Sequence, residues 1–426
     1  MKYKIIGNMT GNSMDAIDLV LTEFDGDKMS DICSYTRLYN DDMRNKTESL
    51  RQQVFNKTAR EIVDLSDFKS FHDEYIRQIA DCINEMCYIN KIGKKEVDAI
   101  GFHGKTLDHN PPSKSKLDGT KPYTLQIGSG KMLADLTEIN TIYDFRSDFI
   151  MNGFDGAPLA PLHNAHIAYS EGDGCYYNGG NTSNFAIIKN GKALSGADAG
   201  PFNEYIDAYI RKHTTLAFDE GAKIGMSGKL NKKLLQKLFD IGRKYYETKL
   251  PKSGDPAYYY KNEVFDYVEQ SGINFADAVH TFEYFAAYIA TQALTLVPET
   301  IDIPSRFVLF GGGWKNPLVR RSFKDFLVGE GYVLDEHKKI FEMLQTRLKR
   351  KVQVINSTFG EYMEARLFAD LARYKLEGKA WIIPEIKQIG KQIICGVVAN
   401  PDSSRNLYDD MICRAAKGWS DIVIKQ

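Results

Sequence analysis

"KYKIIGNMTGNSMDAIDLVLTEF", residues 2 to 24, carries the pattern on which the fold reading turns. Two strand-like runs, KYKIIGNM and IDLVLTEF, flank a bend of small polar residues, TGNSMDA, and the turn Asp25-Gly26 closes the second run. The stretch reads as a β-hairpin with glycine and short polar side chains at its tip. Far downstream the design returns as CYYNGG, NTSN and FAIIKNGKAL, closed by Asn190-Gly191. A repeated hairpin predicts two related halves.

Outward from the first hairpin, SDFKSFHDEYIRQIADCINEMCYIN reads as a helix, VDAIGFHGKT and YTLQIG as strand-to-loop edges, and NTIYDFRSDFIMNGFDGAPLAP as a strand entering a loop. That alternation is α/β. After residue 214 the pattern is largely helical as far as RFVLFGGGWKNP, a strand running into three glycines. STFGEYMEARLFADLARYKLEG then presents Thr358 and Glu361 as a capping box ahead of an apolar-periodic helix. Past about residue 380 only mixed structure is readable. No Pro/Ser-rich linker divides the chain, so the boundary follows from the repeated hairpin. Residues 1–140 with about 361–400 form one domain, 141–360 the second, and 401–426 an unassigned tail.

The 426 residues, 43% of them hydrophobic, supply core for two or three domains. With 55 basic and 56 acidic side chains there is no global field to draw nucleic acid or an anionic membrane. A small-molecule partner fits that balance. Six scattered cysteines show no zinc or disulfide spacing, the N-terminus lacks a signal peptide's apolar stretch, and FEYFAAYIATQALTLV carries Glu283 and is too short to span a bilayer. These features predict a reduced, cytoplasmic, soluble protein and leave a homodimer open.

Phosphates are held where backbone N–H groups converge, and small residues permit that approach. Gly11-Asn12-Ser13, Gly179-Gly180-Asn181 and Gly311-Gly312-Gly313 meet the need, although each alone also reads as an ordinary turn. GFHGKT is not a P-loop, since only two residues separate Gly101 from Gly104 where four are required. Lys105 is then a loop lysine. His103 with His109, and His163 with His166, have no third ligand at metal spacing and read as ordinary histidines. Asp144-Phe145-Arg146 follows a strand, as a surface pair or as a grip on a hydroxyl-rich or anionic ligand. In GADAGPFNEYIDAYIRKH, Pro201 suits a first helical position and the apolar spacing needs no Asp198. Asp198 is left as a turn or capping residue or as a functional one.

Taken in order, IIGNMTGNSMDAIDLVL, HGKTLDHNP, TLQIGSG, YDFRSD, GAPLAPLHNAHIA, NGGNTSN, DAGPFNEYIDAYIR, DEGA, SGK, GGGWKNP and MEARLFADLA resemble the anhydro-N-acetylmuramic acid kinases of the sugar kinase, heat-shock protein 70 and actin superfamily. A colinear series is far more specific than any one motif; residues beyond about 400 are not covered. The resemblance implies a two-domain actin-like ATPase (ribonuclease H-like) fold, each domain on a five-stranded sheet, with ATP and Mg2+ in the interdomain cleft. It implies that water opens the anhydro bridge of 1,6-anhydro-N-acetylmuramic acid while the freed oxygen takes the γ-phosphate. The product would be N-acetylmuramic acid 6-phosphate, an intermediate of cell-wall recycling.

Asp198 falls on the family's catalytic aspartate, where a carboxylate must take the proton of a weakly nucleophilic water. The resemblance assigns Gly11, Asn12, Ser13, Met14, Asp15 and Asp18, with Gly179, Gly180 and Asn181, to the phosphates. Gly311, Gly312, Gly313, Asn316 and Glu364 go to the rest of the nucleotide, and Arg146, Asp144, His103 and Asn203 to the sugar. Departures cluster at these turns. Asn12 and Ala16 stand for threonine and glycine, the second turn is Gly-Gly-Asn-Thr-Ser-Asn, Ala199 and Phe202 stand for threonine and glycine, and Lys105 and Lys315 for glutamine and histidine. They keep two other readings in play: a kinase of another amino sugar or hexose, and a nucleotide- or sugar-binding sensor without turnover.

Overall fold

The opening hairpin forms β1 (Lys2–Thr10) antiparallel to β2 (Ala16–Asp25), Met9 facing Asp18, in a computed structural model that describes residues 1–11, 14–157, 159–252, 261–348, 351–380, 392–401 and 410–417. β3 (Lys28–Leu38) follows the Asp25-Gly26 turn antiparallel to β2, and β4 (Ala99–Phe102) lies parallel to β1 on its other side. β5 (Lys105–Asn110) and β6 (Tyr123–Ile127) make a separate antiparallel ribbon, while β7 (Thr141–Tyr143) joins the main sheet parallel to β4. The order is β7-β4-β1-β2-β3.

The second hairpin repeats the plan. β8 (Gly174–Gly179), β9 (Thr182–Lys189) and β10 (Lys192–Pro201) form an antiparallel meander, and β11 (Arg306–Phe310) and β12 (Gln353–Asn356) add parallel beside β8, in the order β10-β9-β8-β11-β12. Asn190 and Gly191, at φ 52° and 66°, supply the left-handed pair that a tight β9–β10 turn requires. Strand for strand and pairing for pairing the sheets match, giving the duplicated ribonuclease H-like topology of the actin-like ATPases. One expectation changes: β13 (Val397–Ala399) pairs antiparallel with β7, so the first sheet has six strands, not five.

The chain divides into two compact units, Met1–His163 with Tyr362–Gln426, and Asn164–Glu361. The division lies past residue 140 because β7 is paired to β4 and belongs to the first sheet. Residues 410–417, left unassigned by the sequence, belong to the first unit as well. Each unit has its own apolar core, built in the first around Ile6, Phe68, Tyr75 and Ile100 and in the second around Tyr177, Phe282, Phe285 and Phe323.

In the first unit the helix Met363–Leu376 lies directly on the sheet. A Cβ at Gly7 would overlap the Ala365 carbonyl oxygen, and one at Gly101 the Phe368 carbonyl oxygen. Two guanidinium groups, each 2% exposed, fix it further: Arg366 pairs with Asp31 of β3, and Arg373 donates to the Gly26 carbonyl of the β2–β3 turn at 3.1 Å. The Thr358–Glu361 capping box does not form. Glu171 competes for it, accepting from the Thr358 N–H and hydroxyl at 2.5 and 2.7 Å, and the helix starts at Met363 after Tyr362 at φ 53°. Gly101→Ala is expected to destabilise the protein at the upper end of the about 1–3 kcal/mol typical of overpacking. Chemical denaturation with an unchanged midpoint would sink that account of the helix's seat.

Candidate active site

Asp198 is a strand residue, not a turn or a cap. It lies in β10 opposite Asn184 of β9, beside a bulge between Asp198 and Gly200, the kind of irregularity that re-aims a side chain. The strand runs on through Pro201, which pairs with Thr182, so the helix begins at Asn203 and not at Pro201. Its first N–H groups go to the second hairpin turn: Phe202 and Glu204 donate to the Asn181 carbonyl at 2.7 and 3.3 Å, and Asn203 to that of Gly180 at 3.1 Å. The Asp198 backbone is held on both sides, its N–H donating to the Lys252 carbonyl at 3.0 Å and its own carbonyl accepting from the Tyr245 hydroxyl at 3.2 Å. The residue is 8% exposed.

The triple glycine packs against the same turn. A Cβ on Gly311 would stand 2.5 Å from Asn178 Oδ1, and one on Gly313 2.5 Å from Asn203 Oδ1, whereas Gly312 faces open space. Phe202 is buried, its ring 4.7 Å from that of Trp314, and the two occupy the room a side chain at Gly179 would need. Its bulk is therefore absorbed behind the turn. Asn316 is taken up by structure, its Oδ1 capping the helix Pro317–Val328 and its Nδ2 donating to Glu283 Oε1 at 2.6 Å.

Sequence reasoning passed over Lys252. This buried ammonium donates to the Tyr245 and Tyr246 carbonyls at 3.1 and 2.9 Å, and burial pulls its pKa down to about 7, against the pull of Asp198. Nothing local in LPKS marks it, because its partners end a helix that only the fold brings near. Glu283 is shifted the other way, up to about 8, by burial and, further down, by Asp219. Asp219 opens DEGA and accepts from the N–H groups of Ile224 and Gly225, which gives that motif a loop-bracing role.

In the first unit, Asn12 and Ser13 lie outside the described residues. Around them, the Gly11 carbonyl accepts from the Met14 N–H at 3.2 Å and from Lys105 Nζ at 2.7 Å. Lys105 is thus not a loop lysine: it opens β5, is fully buried, and reaches the first turn with its pKa held well below the usual lysine range by burial, then by Arg51. Asp15 is exposed, Met14 is buried at φ 55°, and Asp18 accepts from Thr36 Oγ1 at 2.8 Å, burial raising its pKa.

His103, Asp144 and Arg146 come together in this unit. Arg146 donates to the Gly156 carbonyl at 2.7 Å and to His103 Nε2 at 3.3 Å, and Gln126 Nε2 lies 3.3 Å from the same nitrogen. Burial, then the Arg146 and Lys105 charges, holds the His103 pKa far down, so its ring is neutral. Asp144, at φ 58°, accepts from the Ser147 hydroxyl and from Arg414. Glu364 is exposed in the first turn of the helix Met363–Leu376. His163 gains a partner its spacing did not suggest, Asp370 Oδ2 at 3.0 Å from Nδ1, with Arg373 on the other carboxylate oxygen.

Two sheets of one topology, each with a small-residue turn at its first hairpin, define the sugar kinase and actin-like ATPase class. The family model for anhydro-N-acetylmuramic acid kinase matches residues 3–396, and the chain belongs to that family. It is a phosphotransferase with an alcohol acceptor, converting the anhydro sugar at the expense of ATP. Three solved structures are distantly similar. Component A of (R)-2-hydroxyglutaryl-CoA dehydratase from Acidaminococcus fermentans is 12% identical over 88% of this chain and 100% of that one, with a TM-score of 0.43. The activator of 2-hydroxyisocaproyl-CoA dehydratase from Clostridium difficile with bound ADPNP is 11% identical over 92% and 99%, at 0.41. A ROK family glucokinase from Streptomyces griseus in complex with glucose and AMPPNP is 14% identical over 87% and 99%, at 0.32. At those scores the assignment rests on the family match. Among the described residues no helix is long and apolar enough to cross a membrane.

The Lys252 shift has a checkable sign. Between about 7 and the ordinary 10.5 the unfolded chain holds more protons at this position than the folded one, so Lys252 makes stability rise with pH across that window, and its charging cost is fully present below it. Glu283 acts oppositely between 4.5 and about 8, where the folded state keeps a proton the unfolded chain has lost. Relative to the natural chain, Lys252→Met is expected to flatten the gain in denaturation stability between about pH 7 and about pH 9. An identical pH slope in both proteins would remove the case for a shifted lysine.

Proposed function

We propose that Asp198 is the general base of the reaction and that the chain makes N-acetylmuramic acid 6-phosphate in the cytoplasm for cell-wall recycling. The carrying observation is Asp198 itself: a mostly buried carboxylate whose backbone is fixed through Lys252 and Tyr245, one strand bulge away from a helix start built onto a glycine turn. An ionised aspartate so held takes the proton of the water that attacks the anomeric carbon. As the water oxygen bonds the anomeric carbon, the bridge oxygen leaves that carbon, stays on carbon 6 and takes the γ-phosphoryl group while the phosphorus–oxygen bond to the departing ADP breaks, so two bonds form and two break.

In the second unit, Gly179, Gly180 and Asn181 hold phosphate oxygens and Gly311 to Gly313 the adenosine. Gly312 has the open approach this requires. Asn203 orients the sugar, and Asn316 keeps the triple-glycine turn in place through its cap. In the first unit Gly11, Met14 and Asp18 belong to a phosphate-type turn, and Arg146, His103 and Asp144 form the sugar face. Magnesium suits the exposed Asp15 carboxylate, a hard oxygen donor, and when bound supplies charge neutralisation at the phosphates.

The test is ADP release on mixing 1,6-anhydro-N-acetylmuramic acid with Mg-ATP, with product identification and Asp198→Asn in parallel. The substitution is expected to lower the rate on the order of 10²–10⁴-fold without changing the fold. Turnover that survives Asp198→Asn refutes the base. Turnover by the natural chain only with a different amino sugar or hexose moves the substrate, and ligand-induced thermal stabilisation without any ADP release marks a sensor.

A further inference from the structure

Asp198 is tied at two backbone atoms, and both ties lead to Lys252. The Asp198 N–H donates to the Lys252 carbonyl at 3.0 Å, and the Asp198 carbonyl accepts from the Tyr245 hydroxyl at 3.2 Å. Tyr245 and Tyr246 end the helix Lys232–Tyr246, and the Lys252 ammonium reaches back to them, donating to the Tyr245 carbonyl at 3.1 Å and to the Tyr246 carbonyl at 2.9 Å. The ammonium also lies 4.6 Å from the centroid of the Tyr245 ring, within cation–π range. The ring that holds one side of Asp198 is thus clamped by the residue that holds the other. Tyr246 seats the bulge beyond, since a Cβ on Gly200 would come 3.2 Å from its ring.

Helix capping alone does not call for this ammonium. The Arg243 carbonyl already accepts from the Glu247 N–H at 3.0 Å and the Tyr245 carbonyl from the Thr248 N–H at 3.1 Å, so capping accounts at most for the contact to Tyr246. Against that single contact stands the cost of burial. Lys252 is 3% exposed, and an ammonium taken out of water destabilises the fold unless it is fully matched. Burial lowers its pKa and the Asp198 charge raises it, so the two groups sense each other across the clamp. A methionine would fill similar space at less cost. The charge and its directed N–H bonds are what a methionine would lack, and their effect falls on the position of Asp198.

We infer that the Lys252 side chain is a positioning residue of the reaction: it binds its own segment to the end of the helix Lys232–Tyr246, so that both backbone ties of Asp198 are locked together and the carboxylate is aimed at the attacking water. This rests on the reading of Asp198 as the general base. Lys252 touches no substrate in this role and acts only through Asp198. Its effect therefore falls on the chemical step and vanishes when the base is gone.

Steady-state kinetics with 1,6-anhydro-N-acetylmuramic acid and Mg-ATP, read as ADP release, compare the natural full chain with Lys252→Met, Lys252→Arg, Asp198→Asn and the double variant of Lys252→Met with Asp198→Asn. Lys252→Met keeps roughly the length of the side chain and loses the charge and the N–H donors. It is expected to lower kcat about 10- to 100-fold, as a small misplacement of a reacting group does, with KM for each substrate within about twofold. Lys252→Arg keeps charge and donors and is expected to recover part of that loss. In the Asp198→Asn background the same Lys252→Met change is expected to alter kcat by less than about threefold. Melting temperatures are recorded alongside, and Lys252→Gln replaces Lys252→Met if the latter does not fold. An unchanged kcat in Lys252→Met overturns the inference alone. So does an equal fall in both backgrounds, or a raised KM with kcat kept, because a merely structural loss does not depend on the base. Full turnover in Asp198→Asn, or none in the natural chain, overturns the base reading and the inference with it.

Discussion

The first unit depends on the direct seating of the helix Met363–Leu376 on β1 and β4. Glycine at positions 7 and 101 lets a helix backbone meet a sheet backbone, which no side chain would allow. The seating makes a unit from segments more than 300 residues apart in sequence, as the Arg366–Asp31 pair spans 335 positions. Only the guanidinium of this pair is buried, Asp31 being exposed, so removing Asp31 would strand the Arg366 charge, and the pair enforces the docking more than it strengthens it. The strands that carry His103, Asp144 and the Gly11 turn are ordered on this platform.

The second unit solves a different problem. A phosphate-type turn needs exposed backbone at its tip and firm support behind it. Gly312 and Asn181 are exposed, whereas Gly179, Gly311 and Gly313 pack so closely on Phe202, Trp314, Asn178 and Asn203 that only glycine fits. The departure at Phe202 looks disruptive in a motif alignment, but its ring packs tilted against Trp314 behind the turn. Substitution at a motif position is thus compatible with an unaltered tip, because the bulk enters the core.

Much of the architecture was legible. Both hairpins, their closing turns, the α/β alternation and the triple-glycine loop are local patterns, and local patterns survive into the fold. The candidate site was nominated by motif, through Asp198, His103, Asp144 and Arg146, and local surroundings were misread wherever a distant group intervened. Glu171 takes Thr358 from its capping box, strand pairing with Thr182 pulls Pro201 out of its helix, and Lys105 crosses 94 positions to reach Gly11. Lys252 went unnoticed because a lysine after proline carries no signal of burial.

What the sequence determined by itself is the two hairpins, the repeated topology and the family, since apolar periodicity, turn residues and motif order act over short stretches. Tertiary structure alone decided which charges lose their water and which carbonyls and carboxylates they meet instead. Arg414 meets Asp144 across 270 positions, and the pKa of Lys252 falls to about 7 because burial strips its solvent, against the pull of Asp198. Desolvation and partner choice are properties of places in space, and a linear pattern does not contain them.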